Sequence, residues 1–392
     1  MAVKKRSSGS SKKRVSKLRK LGRLFNPRSL KGGMALFALV FAVSGAGYYV
    51  YQSFAATSAE VVVMDKTGIY VAKTDGTSKV NVLPFRGTFM SSGDVRADSS
   101  GQKIAYVLHD YLPPNNTFAL SYYDRVTNTS VELFKIDRNA YPDASINNLA
   151  WVSSDKLLFD ITNYKGRSGV NSVNTTTRES TLLLGGYRNA QIKPGGTNML
   201  VVKDGGGLYL TNTRGVAPKL IGAKMVSASW APDGSKFITI NNESGAIELR
   251  TESKLINRLM GSTYINYDPD SPKIVAWFGE LGTLSSYLWS PTGSYIAHKS
   301  VSSVDSNGNY LGGGHVYRCH TTTAKCQRLS NNPSGAFTPL NAVFGKDGKI
   351  LFTSRSTETR KTSLYSIDTS TLVRTKLHEG QDNYDLHYAP IR

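Results

Sequence analysis

Few residues in this 392-residue chain could support covalent or metal chemistry. Cysteine occurs twice and histidine six times. The sequence contains no G-x-S-x-G, H-E-x-x-H, P-loop or G-x-G-x-x-G motif, so no nucleophile elbow, zinc-protease helix or phosphate-binding loop is expected. The histidines are scattered and suggest no Ser/His/Asp constellation. We therefore expect no catalytic residue, no metal and no cofactor, and the balance favours a protein that is not an enzyme.

Acidic residues are absent from the N-terminal part of the chain, where the first is Glu60. Residues 1–31 hold twelve of the 48 Lys/Arg residues, so the rest of the chain has 36 basic against 28 acidic residues. The net charge of +20 therefore belongs mostly to a basic tail. No aromatic residue interleaves with these charges before Phe25, so nucleic acid is not the expected partner. The tail is either a disordered topogenic segment or a short helix on the anionic inner leaflet.

Charge of either sign is absent between Gly32 and Ala59. Residues 32–55 are apolar and long enough for one transmembrane signal-anchor helix. The basic tail on the N-terminal flank predicts a cytoplasmic N-terminus, and a domain outside the cytoplasmic membrane. Small residues around Ala55 and Ala59 leave a cleaved secretory signal as the alternative. The long basic flank favours a retained single-pass anchor, and both interpretations export the chain from residue 60 onwards.

An internal repeat runs through the exported part. WAPDGSKFITI (230–240) and WSPTGSYIAHK (289–299) share an aromatic residue, a Pro/Gly turn and an apolar segment. FGKDGKILFT (344–353) is a third copy, and partial copies begin at residues 97, 151 and 192. Each copy predicts a strand a, a reversing turn and a strand b, and two further strands c and d follow. Four antiparallel strands in about 40–45 residues form a blade of a β-propeller.

The first residue of each copy serves as an anchor that counts the blades. The seven anchors are Ala97, Trp151, Ile192, Trp230, Trp289, Phe344 and Tyr388. Only strand a of the last blade fits at the C-terminal end, whereas residues 60–85 contain three strands without a strand a. We therefore predict an all-β, seven-bladed β-propeller over residues 60–392, closed by its N- and C-terminal strands and preceded by one transmembrane helix. Such closure removes exposed sheet edges.

These copies resemble the Trp-x-Pro-Asp-Gly repeats of the TolB-like propeller family of exported bacterial proteins, over about residues 60–392. The resemblance implies an extracytoplasmic propeller. The separate N-terminal domain of TolB has no counterpart here, where an anchor takes its place, and no functional residue is carried over. Similar blades precede the hydrolase domain of prolyl oligopeptidases, but no such domain follows here.

Cys319 and Cys326 flank the predicted turn between strands c and d of one blade. Two cysteines that face each other across a hairpin in an exported domain predict a disulfide. His315 and His320 lie beside them, so a metal site is the alternative, although the spacing matches no familiar metal motif. A further alternative is that both cysteines are free thiols.

Long insertions predict the functional face. The a–b turns lie at one end of the blades, here called the bottom face, so the b–c and d–a connections lie on the top face. Two b–c connections are long, residues 109–117 and 300–314, and so is the d–a connection 261–283. Long loops on a rigid scaffold are frequent binding sites. The candidate binding residues in them are Tyr111, Asn115, Tyr264, Tyr267, Trp277, Asp305, Asn307 and Tyr310. The alternative is that these loops are insertions that the fold tolerates and that bind nothing. The Asp305–Tyr310 segment resembles the start of a calcium-binding loop but departs from its pattern.

Two functions follow from this organisation. The first is a membrane-anchored binding or scaffolding module for a protein, a peptide or an envelope glycan. The second is an exported propeller enzyme, of the glycan or peptide hydrolase or lyase type, with its site in the central channel. Convergent carboxylates or a His/Asp cluster in that channel would favour the enzyme.

Overall fold

The repeats of the sequence fold as separate antiparallel sheets in the computed structural model. The structure describes residues 59–85, 89–110, 116–243, 246–260, 288–299, 315–330, 337–356, 358–359, 361–380 and 386–391. These residues contain 27 strands in seven sheets, which confirms the all-β, seven-bladed propeller. The predicted membrane span, residues 32–55, lies outside the described residues. Within them, no helix is long and apolar enough to cross a membrane.

The first three blades lie in the first half of the propeller and each has four strands. Blade 1 consists of β4 (Phe89–Ala97), β5 (Lys103–Asp110), β6 (Thr117–Asp124) and β7 (Thr129–Asp137). Blade 2 consists of β8 (Ser145–Ser153), β9 (Lys156–Thr162), β10 (Gly169–Asn174) and β11 (Ser180–Gly185). Blade 3 consists of β12 (Tyr187–Ile192), β13 (Asn198–Lys203), β14 (Leu208–Asn212) and β15 (Lys219–Gly222).

The next three blades follow the same order. Blade 4 consists of β16 (Met225–Trp230), β17 (Phe237–Asn241), β18 (Ile247–Arg250) and β19 (Leu255–Met260). Blade 5 has β20 (Tyr295–Lys299), β21 (Val316–His320) and β22 (Cys326–Arg328), with a single bridge from Trp289 to Ile296 in the place of strand a. Blade 6 consists of β23 (Phe337–Phe344), β24 (Ile350–Ser356), β25 (Thr362–Ile367) and β26 (Arg374–Glu379).

Blade 7 is built from both ends of the propeller. Its strand order is β27 (His387–Pro390), β1 (Glu60–Asp65), β2 (Gly68–Lys73) and β3 (Lys79–Pro84). β27 pairs antiparallel with β1, with Val62 opposite Ala389 and Val63 opposite Tyr388. The predicted closure by the two termini is therefore confirmed.

The core of the propeller lies between blades. Seven apolar clusters of buried residues each join two consecutive blades, and the last joins blade 7 to blade 1. Each strand b is therefore covered on both faces, and strands such as β1 and β9 are almost continuously apolar instead of alternating. Strand d of each blade lies at the outer rim, so strands such as β3 and β11 are largely exposed.

The tryptophans of the repeat connect one blade to the one before it. The indole Nε1 of Trp151 donates to the Arg96 carbonyl at 3.0 Å, and that of Trp230 donates to the Gln191 carbonyl at 3.2 Å. Trp289 donates to the Ser229 carbonyl at 3.1 Å. Each acceptor directly precedes the anchor of the previous blade, so the three bonds are equivalent. The motif aromatic is therefore a structural residue that stabilises the ring.

Glycine and aspartate in the repeat shape the a–b turn. Gly234 has a φ of 67°, a left-handed conformation that side chains with a Cβ rarely adopt. Asp233 accepts hydrogen bonds from the backbone N–H of Ser235 at 3.0 Å and from its hydroxyl at 2.8 Å. These bonds hold the pKa of Asp233 below its usual value. Asp233 therefore stabilises the turn as an Asx-type hydrogen-bond acceptor.

Candidate functional site on the top face

All eight binding residues predicted from the long insertions lie outside the described residues. They are Tyr111, Asn115, Tyr264, Tyr267, Trp277, Asp305, Asn307 and Tyr310. Of the three insertions, only residues 109, 110, 116 and 117 are described. The top face can instead be examined through its short connections, chiefly the d–a connection 138–144 and the b–c connection 163–168.

Arg138 lies at the start of the d–a connection between blades 1 and 2. Its Nε and Nη2 atoms both donate to the Pro142 carbonyl, the Nε bond being 3.0 Å long. Its Nη1 atom lies 3.1 Å from His109 Nε2, and its guanidinium carbon lies 4.9 Å from the centre of the Phe118 ring. The Pro142 carbonyl and an aromatic face therefore hold this cation in a fixed orientation.

Arg167 lies in the adjacent b–c connection of blade 2 and is held in a similar way. Its Nη1 donates to the Ser180 hydroxyl and its Nη2 to the Ser180 carbonyl, both at 3.1 Å. Its guanidinium carbon lies 5.6 Å from the centre of the Phe134 ring. Neither Arg138 nor Arg167 has a carboxylate within 4.0 Å in the described structure. Their charges are therefore not neutralised by an ion pair there.

Two tyrosines connect the positions of these arginines. Tyr141 and Tyr164 have ring centres 4.5 Å apart at an angle of 66°, and Tyr164 also packs edge-on against Phe134. Both tyrosines are half-buried. Contacts run from Tyr141 through Tyr164 and Phe134 to Arg167, and Arg138 bonds to Pro142, the residue after Tyr141. Arg138, Tyr141, Tyr164 and Arg167 are here called the Arg–Tyr cluster, at the junction of blades 1 and 2. Because the Arg167 guanidinium reaches Ser180, the first residue of strand d, the cluster extends from the top connections down the side of blade 2.

A second polar cluster joins blades 6 and 7. His378 Nε2 lies 2.7 Å from Asp65 Oδ2, and both side chains are buried. Asp65 Oδ1 accepts from the backbone N–H of Thr67 at 2.7 Å and from its hydroxyl at 2.5 Å. Burial raises the pKa of Asp65, but the hydrogen bonds from His378 and Thr67 outweigh it and hold that pKa below its usual value. The ring of Tyr70 covers His378 at 5.1 Å, so this pair is enclosed.

A third cluster, here called the inner cluster, joins strand b of blade 2, which carries Asp160, to the strands a of blades 1 to 3. Asp160 Oδ2 accepts from Asn148 Nδ2 and from the backbone N–H of Asn189, both at 2.6 Å. Its Oδ1 atom is buried without a hydrogen-bond partner. Burial raises the pKa of Asp160 to about 7, despite these two hydrogen bonds. Asp94, on the neighbouring inner strand, accepts from the backbone N–H of Leu149 at 3.0 Å.

The inner cluster has a signal in the sequence that the repeat analysis missed. The residue three positions before each anchor is always polar: Asp94, Asn148, Asn189, Ser227, Ser286, Asn341 and Asp385. In blades 2 and 3 this residue is an asparagine with positive φ, at a bulge where strand a leaves register with strand b. Asparagine tolerates this conformation. The Arg–Tyr cluster has no comparable signal, because its residues lie in short loops far apart in sequence.

The predicted disulfide between Cys319 and Cys326 is confirmed. The two residues are direct partners on β21 and β22, at the c–d hairpin of blade 5. No group of three or more His, Cys, Asp or Glu side chains suited to a metal ion occurs among the described residues. The c–d hairpin of blade 5 therefore carries a covalent cross-link.

Comparisons with known proteins identify the fold. No family model and no curated protein matches the chain. An uncharacterized protein from Listeria monocytogenes is similar in structure, with a TM-score of 0.53, 12% identity, and coverage of 83% of this chain and 93% of that one. A putative 6-phosphogluconolactonase from Bacteroides uniformis has a TM-score of 0.52 and 13% identity, over 86% of this chain and 99% of that one.

TolB-type propellers are also among the similar structures. TolB from Acinetobacter baumannii has a TM-score of 0.45 and 13% identity, over 87% of this chain and 70% of that one. At these identities the comparisons establish the propeller fold and leave the function to be inferred from the site.

Proposed function

We propose that this protein is a membrane-anchored, extracytoplasmic β-propeller that binds a protein, peptide or envelope glycan on its top face. The Arg–Tyr cluster is the observation that carries the proposal. The Pro142 carbonyl and Ser180 hold its two guanidinium groups in place, and no carboxylate lies within 4.0 Å of them in the described structure. Preorganised arginine and tyrosine side chains are the residue types that dominate binding energies at interfaces.

The anchor places this face in the envelope. Residues 32–55 are the proposed transmembrane helix, and the propeller begins directly after it with β1. Protease added outside intact cells should remove the chain beyond residue 60 and spare the basic tail. Recovery of a soluble mature chain that begins near residue 57 or 60 would contradict the anchor and support a cleaved signal.

The binding function is tested by capture from envelope extracts. The full chain, immobilised through its N-terminal tail, should retain a ligand that mass spectrometry and glycan analysis identify. A variant with Arg138→Gln and Arg167→Gln should lose that ligand. The control is Arg214→Gln, which removes an exposed arginine from the bottom face. Equal retention by both variants would refute a role for the top-face cluster.

One observation favours the alternative, an enzyme that acts on a glycan or peptide in the central channel. Asp160 has a pKa of about 7, and a carboxyl group with such a pKa can serve as a general acid or base near neutral pH. The propeller fold hosts both binding proteins and enzymes. Incubation with oligosaccharides and peptides, followed by analysis of new chain ends, tests this alternative. Cleavage that Asp160→Asn abolishes would support it.

A further inference from the structure

We infer that the Arg–Tyr cluster binds an acidic oligosaccharide, whose carboxylates pair with Arg138 and Arg167 and whose sugar rings pack on Tyr141 and Tyr164. The inference rests on the proposed binding function and specifies its ligand class. It follows from three properties of the cluster, which are its charge, its aromatic faces and its lack of exposed aliphatic side chains.

The charge of the cluster favours an anion. Arg138 uses Nε and Nη2 on one backbone carbonyl, and Arg167 uses Nη1 and Nη2 on Ser180. These bonds orient both guanidinium groups but do not cancel their charge. An incoming carboxylate would therefore form charge-assisted hydrogen bonds with cations that are already positioned. The charged neighbours in the same two connections are Asp143 and Lys165, both exposed.

The aromatic residues favour a sugar. Tyr141 and Tyr164 are half-buried and braced by each other and by Phe134. Rings held in this way lose little conformational freedom on binding. The apolar C–H face of a pyranose can pack on such a ring, while the tyrosine hydroxyls and nearby backbone groups can bond to sugar hydroxyls.

The distribution of exposed aliphatic residues argues against a peptide with hydrophobic anchors. Among the described residues, the exposed large aliphatic side chains lie in outer strands or in c–d turns on the bottom face. They are Val80, Val126, Leu182, Val216, Leu220, Leu255, Ile256, Leu372 and Val373. None of them belongs to a described b–c or d–a connection. The two connections that carry the Arg–Tyr cluster therefore contain no exposed large aliphatic side chain, which suits a polar ligand.

Binding of defined oligomers to the full chain tests the inference. The probes are hexamannuronate, its neutral counterpart mannohexaose, and hexaglutamate as an acidic peptide, each measured by calorimetry at low and at physiological salt. Hexamannuronate should bind at least about tenfold more tightly than either of the other two, and its affinity should fall as salt increases. Arg138→Gln and Arg167→Gln should each raise its Kd about tenfold.

Two further variants sharpen the assignment. Asp143→Asn should lower the Kd for hexamannuronate because it removes a nearby negative charge, whereas Arg214→Gln on the bottom face should leave the Kd unchanged. Melting temperatures of all variants should match that of the parent, so that lost binding is not lost folding. Tighter binding of hexaglutamate would replace the sugar by an acidic peptide and leave the proposed binding function intact. Absence of binding by all three probes would overturn the inference, and the capture experiment would still report on the binding function.

Discussion

The carboxyl group of Asp160 should make the stability of the propeller depend on pH in the neutral range. This side chain is 1% exposed, and burial raises its pKa in the folded protein from the ordinary value of 3.8 to about 7. The folded state therefore holds a proton that the unfolded state has released between roughly pH 4 and 7. Because the folded pKa is raised, stability is highest at acidic pH in this window and falls as the pH rises through it.

The size of this effect follows from the shift. One pKa unit corresponds to about 1.4 kcal/mol, so a shift from 3.8 to about 7 amounts to roughly 4 kcal/mol lost from the free energy of unfolding by pH 8. Asp160→Asn keeps the shape of the side chain and an oxygen that accepts the N–H of Asn189, but it cannot ionise. The variant should be more stable than the parent by roughly 4 kcal/mol at pH 8 and by only about 2 kcal/mol at pH 5.

Denaturant unfolding of the full chain at pH 5, 6, 7 and 8 measures the difference. Glu132→Gln is the matched control, because it removes an exposed carboxylate from the outer strand of blade 1, and it should show no comparable trend. An Asp160→Asn variant that is less stable than the parent at pH 8, or whose difference from the parent is the same at every pH, would refute the reasoning.

Three further predictions concern the ring. Deleting residues 386–392 removes β27 and should abolish cooperative thermal unfolding, and an unchanged melting curve would show that the ring does not depend on this strand. Trp230→Phe removes the hydrogen bond to the Gln191 carbonyl and should lower the free energy of unfolding by about 1–3 kcal/mol in urea titrations. An unchanged free energy of unfolding would contradict a structural role for Trp230. Asp65 has a lowered pKa, so its contribution should be present above pH 4 and disappear as the pH falls below it; Asp65→Asn should flatten this acid limb of the stability profile, and an unaltered limb would assign it to other carboxylates.

The sequence predicted the fold because the repeat leaves a mark in every blade. The Pro-x-Gly turn after Trp230 and after Trp289 predicts a strand reversal from local chemistry alone. Strand b after this turn is apolar because it is buried on both faces. The closure by Tyr388 followed from counting strands. Blade 5 was harder to anticipate, because its strand a is described as a single bridge at Trp289.

The candidate site was less accessible to sequence analysis. Arg138 and Arg167 come from two different connections, and only the packing of blade 1 against blade 2 brings their surroundings together through Tyr141 and Tyr164. No local pattern distinguishes an arginine that stacks on a phenylalanine from one that is solvated. The binding residues were instead predicted in the long insertions, and those residues lie outside the described part of the chain. The role of Asp160 was equally hard to predict from the sequence, because its burial depends on the bulges of two neighbouring blades.

The closure of blade 7 also determines when the protein can finish folding. β1 leads the ring in the chain and β27 is the last strand to be synthesised, yet Met64 must pair with His387. Joining segments more than 300 residues apart costs about 5 kcal/mol of chain entropy, and contacts of such high order form slowly. Until then Val61, Val62, Val63 and Met64, all fully buried in the ring, belong to a strand with one free edge. During synthesis the apolar strand β1 is therefore made before the other strands of the ring, and its free edge is covered only when β27 pairs with it. Between the synthesis of β1 and that pairing, the chain is most prone to associate wrongly with other nascent chains.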